Sequence, residues 1–302
     1  AGGAPRKAWV AQKNTSGSIQ FLITAQISAV LVSTVWGLND VGGRGGVLAI
    51  GLGLTVTLLV LAKAILQPLI ANLVAFAVVY HLCNVIPSPG VTMYFYLDGP
   101  TEFPSGPHLS KGFLFFTVQL VVVVASVAAS MAYPKFFKPL PFRHVVLAAF
   151  LGCVLVQASD SLMFSRTSAA LGVPDTLFML VKYALFWGLQ SAGQMAVSLL
   201  AQKACPEGQE ATVMSLFASF SGFSFTVAAA FASFVAERMG VTPSGVPGIN
   251  EEAVFANLWI VNLLSCLPVA LPLVLGCFVI PVAPQDEPLV AADSPAASSV
   301  TL

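Results

Sequence analysis

The chain has 302 residues, of which only 9% are charged and 57% are hydrophobic. Soluble domains carry roughly 25% charged residues, so this composition excludes a soluble enzyme, a disordered chain and a nucleic-acid-binding protein. Thirteen basic residues balance thirteen acidic ones, which leaves no basic surface to attract nucleic acid. At about 20 residues per membrane-spanning helix, the length suits an all-α, polytopic helical membrane protein.

Eight apolar segments follow one another along the chain, and each is near or above the length needed to cross about 30 Å of hydrocarbon. Backbone polar groups must pair internally in lipid, so these continuous runs predict helices rather than strands. The third segment is the weakest, because it is short and contains Asn72 and His81. The segments are 18–36, 47–66, 70–86, 112–132, 145–164, 176–201, 211–236 and 254–280.

Glycine and proline clusters separate the segments, whereas Pro268 and Pro272 lie inside the last one and are expected to kink it. The end of the chain is rich in alanine, serine, proline and acidic residues, a composition typical of disorder. The predicted organisation is an N-terminal cytoplasmic segment (1–17), two transmembrane helices (18–66), a six-helix transmembrane bundle (67–281) and a disordered tail (282–302).

Basic residues predict the orientation, because cytoplasmic loops carry an excess of lysine and arginine. With eight spans both termini share one side, and that side holds eight basic residues against four on the other. The termini are therefore expected in the cytoplasm or in the equivalent compartment of an organelle. The sequence leaves open whether this multi-pass protein lies in the plasma membrane or in an organelle or plastid membrane. The eight are Arg6, Lys7, Lys13, Lys63, Lys135, Lys138, Arg143 and Lys203, and the four are Arg44, Lys111, Arg166 and Arg238.

Ionisable residues at membrane depth are costly, and each is therefore a functional candidate. Lys182 lies about 9 Å into the sixth segment, and Asp160 lies near the end of the fifth at a similar depth. Arg166 and Asp175 follow in the short connection between them. Two acids and two bases are therefore expected at one membrane edge. A water-filled cavity that binds a solute and a salt-bridge cluster that only joins two helices both fit this pattern.

The sixth segment also carries a polar stripe. At about 100° per residue, Asp175 and Lys182 point about 20° apart, and Gln190 and Gln194 fall within about 120° of the same face. This arrangement favours a helix that lines a cavity. The lone His81 in the third segment is more typical of a hydrogen-bonded packing residue than of a proton relay.

An aromatic run, Tyr94-Phe95-Tyr96, follows a proline-rich break. It fits an aromatic belt at the membrane interface, which composition favours, or a stacking surface for a flat ring. The glycine-rich run 41–46 lacks the order of a phosphate-binding loop. No nucleophile–histidine–acid set, metal-ligand spacing or dinucleotide fingerprint occurs, so neither enzyme activity nor a cofactor is predicted.

Four stretches share the order and spacing of a known family. They are Ile86-Pro-Ser-Pro89 with Met93-Tyr-Phe-Tyr96, Pro141-Phe-Arg143, the stretch from Asp160 through Arg166 to Leu171-Gly-Val-Pro-Asp175, and Cys205-Pro-Glu-Gly-Gln-Glu-Ala-Thr212, which is the most specific. Together they resemble the folate–biopterin transporter family of the major facilitator superfamily. The resemblance covers about residues 67–281. The sequence departs from the family pattern at Gly222, Ala196 and Thr167-Ser168.

The resemblance implies a carrier of around twelve spans in two bundles, which moves folates or pterins by alternating access. This chain would then contain a major-facilitator-like C-terminal six-helix bundle, preceded by about two further transmembrane helices. The resemblance implies solute contacts at Lys182, Asp160, Arg166 and Gln190. Gln194 and Tyr94 complete the candidate solute-binding set, and proton coupling through Asp160 is a further hypothesis.

The stretch before the seventh segment has a physical interpretation of its own. Pro206 and Gly208 form a tight turn, and Glu210 is expected to favour the positive N-terminus of the following helix. With Thr212 and Asp175, these residues are predicted to be structural rather than ligand-binding.

Two functions remain open at this point. The first is a carrier, whose partners would be membrane lipid and a folate or pterin solute. The second is a non-transporting, transporter-derived subunit that packs against a partner membrane subunit in a larger complex. Neither function involves nucleic acid.

Overall fold

A computed structural model of the chain describes residues 20–32, 43–66, 68–83, 89–204, 210–244, 253–282 and 284–285. Helices occupy all eight predicted segments. Within the described residues there is no strand, only an isolated antiparallel bridge between Thr242 and Val254. The all-α prediction is confirmed. The predicted N-terminal segment (1–17) and the tail beyond residue 285 lie outside the described residues.

Eleven α-helices are described. Their bounds are α1 (Gln20–Val32), α2 (Gly43–Ile65), α3 (Pro68–Cys83), α4 (Pro89–Leu97), α5 (Gln119–Phe136), α6 (Phe142–Phe164), α7 (Thr167–Ala170), α8 (Asp175–Ala204), α9 (Glu210–Arg238), α10 (Leu258–Cys266) and α11 (Ala270–Val279).

Five helical stretches are long and apolar enough to cross a membrane. Two of the remaining segments, α1 and α3, form shorter apolar helices, and α8 is 30 residues long but carries charges and several amides. The chain is a multi-pass integral membrane protein, and the count of eight spans stays a prediction. The five stretches are Gly45–Ile65, Phe113–Phe136, Phe142–Phe164, Val213–Arg238 and Leu258–Val279.

Two prolines affect their helices differently. Pro268 lies in a 3-10 turn, Leu267–Val269, which separates α10 from α11, and the kink expected at Pro268 and Pro272 stays a prediction. Pro134 lies inside the last turn of α5, which continues four residues beyond the predicted end of its segment. A proline this close to a helix end removes one backbone hydrogen bond and is tolerated. A π-helical turn, Phe113–Val118, precedes α5 and was not predicted.

Helices α6 and α8 form the central pair of the bundle. They contact each other along their lengths, while α5 packs on α8, α3 packs on α9 and α10 packs on α6. A Cβ atom built on Gly193 of α8 would lie 3.1 Å from Cβ of Ala149 on α6, which shows how closely the two backbones approach. This close packing fixes the relative positions of the side chains that α6 and α8 carry.

An aromatic cluster closes the bundle at the end where α6 finishes. Phe95 is fully buried, and its ring centroid lies 5.5 Å from that of Phe103, 5.1 Å from that of Phe164 and 5.4 Å from that of Phe255. Composition favoured an aromatic belt for the run that contains Phe95. The structure instead places Phe95 inside the protein, because the connections after α4 and before α10 fold over it.

Gln285, in the predicted tail, is buried at the opposite end of the bundle. Its side chain accepts a hydrogen bond from the Tyr133 hydroxyl (2.9 Å) and donates to the carbonyls of Phe137 (3.0 Å) and Leu140 (2.9 Å). The Lys203 ammonium donates to the backbone carbonyl of Gln285. The chain after α11 is therefore held against the ends of α5 and α8.

Candidate functional site

The central feature of the site is an ion pair between α6 and α8. The Nζ atom of Lys182 lies 2.6 Å from Oδ2 of Asp160, and the two side chains are 10% and 1% exposed. Asp160 is four residues before the end of α6 and Lys182 seven residues after the start of α8, about 6 Å and about 10 Å inside the bundle. The predicted approach of these two charges is confirmed.

A cavity of about 140 Å³ adjoins this ion pair. The Lys182 ammonium lies 4.6 Å from the ring centroid of Tyr183, which is within range of a cation–π interaction. Oδ1 of Asp160 is buried and accepts no hydrogen bond from any described residue. The cavity therefore combines one ammonium, one carboxylate acceptor and aromatic walls. Its other lining residues are Thr92, Tyr96, Gln157, Phe186 and Trp187.

The other two predicted charges form a separate ion pair at the end of the bundle. Nη2 of Arg166 lies 2.9 Å from Oδ2 of Asp175, and these side chains are 25% and 15% exposed. Arg166 has a left-handed backbone (φ 59°) directly before α7, a conformation that costs energy in a residue other than glycine. The four charges, which were expected as one group, therefore form two separate ion pairs. Asp160 and Lys182 lie further along α6 and α8, whereas Arg166 and Asp175 lie where the connection between these helices begins and ends.

Arg166 lines its own open cavity of about 370 Å³, together with Phe164 and Trp259. The rings of Tyr96 and Phe164 are stacked, with centroids 6.2 Å apart and planes at 29°. Tyr96 lines the inner cavity and Phe164 the outer one. Two aromatic rings therefore separate the Arg166 cavity from the Asp160–Lys182 cavity.

An open groove of about 540 Å³ runs along α5 and α8. Trp187 lines both this groove and the inner cavity. A surface this polar is unfavourable against hydrocarbon, and it suits a water-filled space within a membrane protein. The polar residues that line the groove are His81, Ser126, Ser130, Gln190, Ser191, Gln194, Ser198 and Gln202.

The two predicted glutamines of α8 have different environments. The Tyr80 hydroxyl donates a hydrogen bond to Oε1 of Gln190 (2.6 Å), which ties α3 to α8. Gln194 is exposed on the groove. Nδ1 of His81 donates to the carbonyl of Ala77 (2.7 Å), because a carbonyl oxygen can only accept. Gln190 therefore has a partner within the protein, whereas Gln194 is directed towards the groove.

The aromatic run contributes Tyr96, and not the predicted Tyr94, to the inner cavity. Tyr94 is 44% exposed and does not line that cavity, whereas Tyr96 is buried and does. Thr92, which is four residues before Tyr96 and so on the same face of α4, also lines it. The spacing shows that Thr92 and Tyr96 share a face of α4, but not that this face is the buried one. Solute binding by Tyr94 stays a prediction, and Tyr94 is not one of the residues that line the inner cavity.

A polar contact between α6 and α10 was also missed. Nδ2 of Asn262 donates to the carbonyl of Gln157 (2.8 Å) and to Oγ of Ser161 (2.9 Å). The Gln157 side chain donates to Oγ of Ser265 at 3.4 Å, which adds a further contact between α6 and α10. These contacts position the part of α6 that carries the inner ion pair.

The structure describes only part of the motif that precedes α9. Pro206 and Gly208 lie outside the described residues. Glu210 is the first residue of α9, which also contains Thr212, but their side chains are not among the described ones. Their predicted structural roles stay predictions.

The fold and the site together define a polytopic helical membrane protein that keeps a charged pair and a polar groove within its transmembrane region. Charged and polar groups in such a position mark a candidate functional site in a membrane protein. A sequence model of the BT1 family matches residues 53–294, and the chain belongs to this family of folate–biopterin transporters. The resemblance deduced from the four motifs is confirmed.

Individual relatives agree with this assignment. Probable folate-biopterin transporter 6 of Arabidopsis thaliana is 28% identical over 194 residues, which cover 64% of this chain and 35% of that protein. The Folate-biopterin transporter of Synechocystis sp. is 26% identical over 180 residues, 55% of this chain and 35% of that protein. Folate transporter 1 of Plasmodium falciparum is 22% identical over 198 residues, 66% of this chain and 36% of that protein. The match thus spans about a third of each relative. No solved structure matches the chain.

Proposed function

We propose that this chain forms the solute-binding bundle of a membrane carrier for a folate- or pterin-like solute. The observation that carries the proposal is the buried Asp160–Lys182 pair beside a cavity that shares a lining residue, Trp187, with a polar groove. The names of the relatives indicate the class of solute, since they refer to folate and biopterin.

The chemistry of the cavity suits a flat, polar ring. Tyr96, Tyr183 and Trp187 supply aromatic surface for stacking, and Lys182 and Asp160 supply a donor and an acceptor at its edge. A longer solute would extend from the cavity into the groove, where Gln194 and its neighbours offer hydrogen bonds. In this proposal Arg166, in the outer cavity, is a first contact for an approaching solute.

Transport by alternating access would move this bundle against a second one, which a second copy of the chain would supply in vesicles that contain this chain alone, so that the α8 groove faces each side of the membrane in turn. Asp160 is the proposed site of proton coupling, because it is the carboxylate in contact with the cavity. If Asp160→Asn leaves uptake and its dependence on pH unchanged, proton coupling through this residue is wrong.

Uptake into proteoliposomes that contain only this chain tests the proposal. We expect saturable accumulation of tritiated biopterin or folate, and a loss of most of it in Lys182→Gln. The matched control is Lys111→Gln, which removes an exposed lysine outside the cavity. Absence of uptake, together with stable co-purification of a partner membrane complex, would contradict the proposal and support the alternative of a non-transporting subunit.

A further inference from the structure

We propose that Asp160 selects the solute by accepting two parallel N–H donors from the edge of a neutral planar heterocycle. An amino group beside a ring N–H, as in an amidine or guanidine unit within a ring, is such an edge. This inference rests on the proposed function, because it concerns the same cavity. It adds the chemical group that the cavity recognises.

The first observation is an acceptor without a donor. Asp160 is 1% exposed, and its Oδ1 atom accepts no hydrogen bond from any described residue. Burial of an acceptor without a hydrogen bond costs more free energy than a typical hydrogen bond contributes to stability. Unpaired buried acceptors are rare in folded proteins. Because Asp160 also lines the cavity, a molecule in the cavity is placed to supply the missing donor.

The second observation is the direction of the carboxylate. Lys182 lies 2.6 Å from Oδ2 and therefore holds one side of the carboxylate in place. An ionised carboxylate has about four lone-pair directions, so Oδ2 keeps room for a second donor while Oδ1 takes another. Two parallel N–H groups matched to two oxygens form the bidentate arrangement that gives carboxylate recognition its geometric specificity.

The third observation is the balance of charge. The one ammonium and the one carboxylate of the cavity neutralise each other at 2.6 Å. A cationic or an anionic ring would therefore lose its hydration in the cavity without gaining an uncompensated counter-charge. A neutral ring with a donor edge avoids that cost, and the Lys182 ammonium can donate to an oxygen beside that edge.

The size and walls of the cavity agree with one aromatic ring at this position. Its volume of about 140 Å³ resembles that of engineered apolar cavities of about 150 Å³ that bind benzene. Tyr96, Tyr183, Phe186 and Trp187 supply the walls. A fused second ring would extend towards Trp187, the residue that the cavity and the groove share.

Competition binding to the purified chain in detergent tests this inference. The probes are pterin and lumazine, two neutral bicyclic rings of the same shape. Pterin has an amino group beside its ring N–H, and lumazine has an oxygen there. We expect pterin to displace tritiated pterin at a concentration at least about tenfold lower than lumazine, since a buried acceptor discriminates strongly against a ligand that lacks the donor.

Two variants test whether the Asp160 carboxylate causes the preference for pterin over lumazine. The double variant Asp160→Asn with Lys182→Gln leaves no uncompensated charge, and we expect it to reduce the preference for pterin to about twofold or less. Asp98→Asn changes another buried acid, which accepts a hydrogen bond from Ser244 outside the cavity, and should keep the preference.

The outcomes separate this inference from the proposed function. Equal displacement by pterin and lumazine, with uptake intact, would overturn the inference and leave the carrier proposal standing. A preference that survives in the double variant would also overturn it. Absence of specific binding by either ring, together with absence of uptake, would overturn both.

Discussion

Asp160 and Lys182 neutralise each other across α6 and α8, with 2.6 Å between carboxylate and ammonium and almost no exposure of either side chain. An ion pair this buried costs desolvation energy that its mutual attraction only partly returns. Stability alone therefore gives little reason to keep it, which favours a role in binding.

Removal of one partner should be more damaging than removal of both. Asp160→Asn leaves the Lys182 ammonium buried without its counter-charge, which is expected to cost about 3–5 kcal/mol of stability. Adding Lys182→Gln to it should recover most of that loss. A double-mutant cycle on the free energy of unfolding in detergent measures the coupling. Additive effects of the two substitutions would contradict a direct interaction.

The close approach of α6 and α8 predicts different effects for two glycines of α8. Gly193→Ala places a methyl group 3.1 Å from Cβ of Ala149, which cannot rotate away, so we expect a loss of about 1–3 kcal/mol. Gly188→Ala is the matched control, because no atom lies within 4 Å of its new Cβ. It should be neutral or stabilising by up to about 1 kcal/mol. Equal unfolding temperatures for the two variants would contradict this packing.

The hydrogen bond between Tyr80 and Gln190 should contribute modestly to stability. Tyr80→Phe removes the donor and should cost about 0.6 kcal/mol, the average measured for interhelical hydrogen bonds in a membrane protein, and at most about 1.7 kcal/mol. Tyr94→Phe, at an exposed tyrosine, should have no measurable effect. Chemical denaturation of both variants in detergent is the comparison. A loss of stability in Tyr94→Phe as large as in Tyr80→Phe would show that the contact is not the cause.

Gln285 should hold the chain after α11 to the bundle. Gln285→Leu removes hydrogen bonds to Tyr133, Phe137 and Leu140, and we expect faster cleavage of this segment in limited proteolysis. Gln119→Leu, at an exposed glutamine of α5, is the control. An unchanged cleavage rate in Gln285→Leu would contradict the anchoring role.

The helices and the ion pair between Asp160 and Lys182 could be predicted from the sequence. Apolar runs marked the segments, and similar depths in two consecutive segments placed Asp160 near Lys182. The partner of Gln190 was not accessible, because Tyr80 is 110 residues away and only the packing of α3 on α8 brings them together. Tyr96 was missed in favour of Tyr94 for a similar reason, since periodicity does not say which face of a short helix is buried.

The most direct test of the account is the exchange of the two charges, Asp160→Lys with Lys182→Asp. The variant keeps a neutral ion pair between α6 and α8 but reverses the positions of donor and acceptor in the cavity. If the pair contacts the solute, the folded variant should lose uptake of tritiated biopterin or folate by at least about tenfold, the effect of losing one charge-assisted hydrogen bond. Uptake equal to that of the unmodified chain would show that the pair only joins the helices, and would contradict the proposed site.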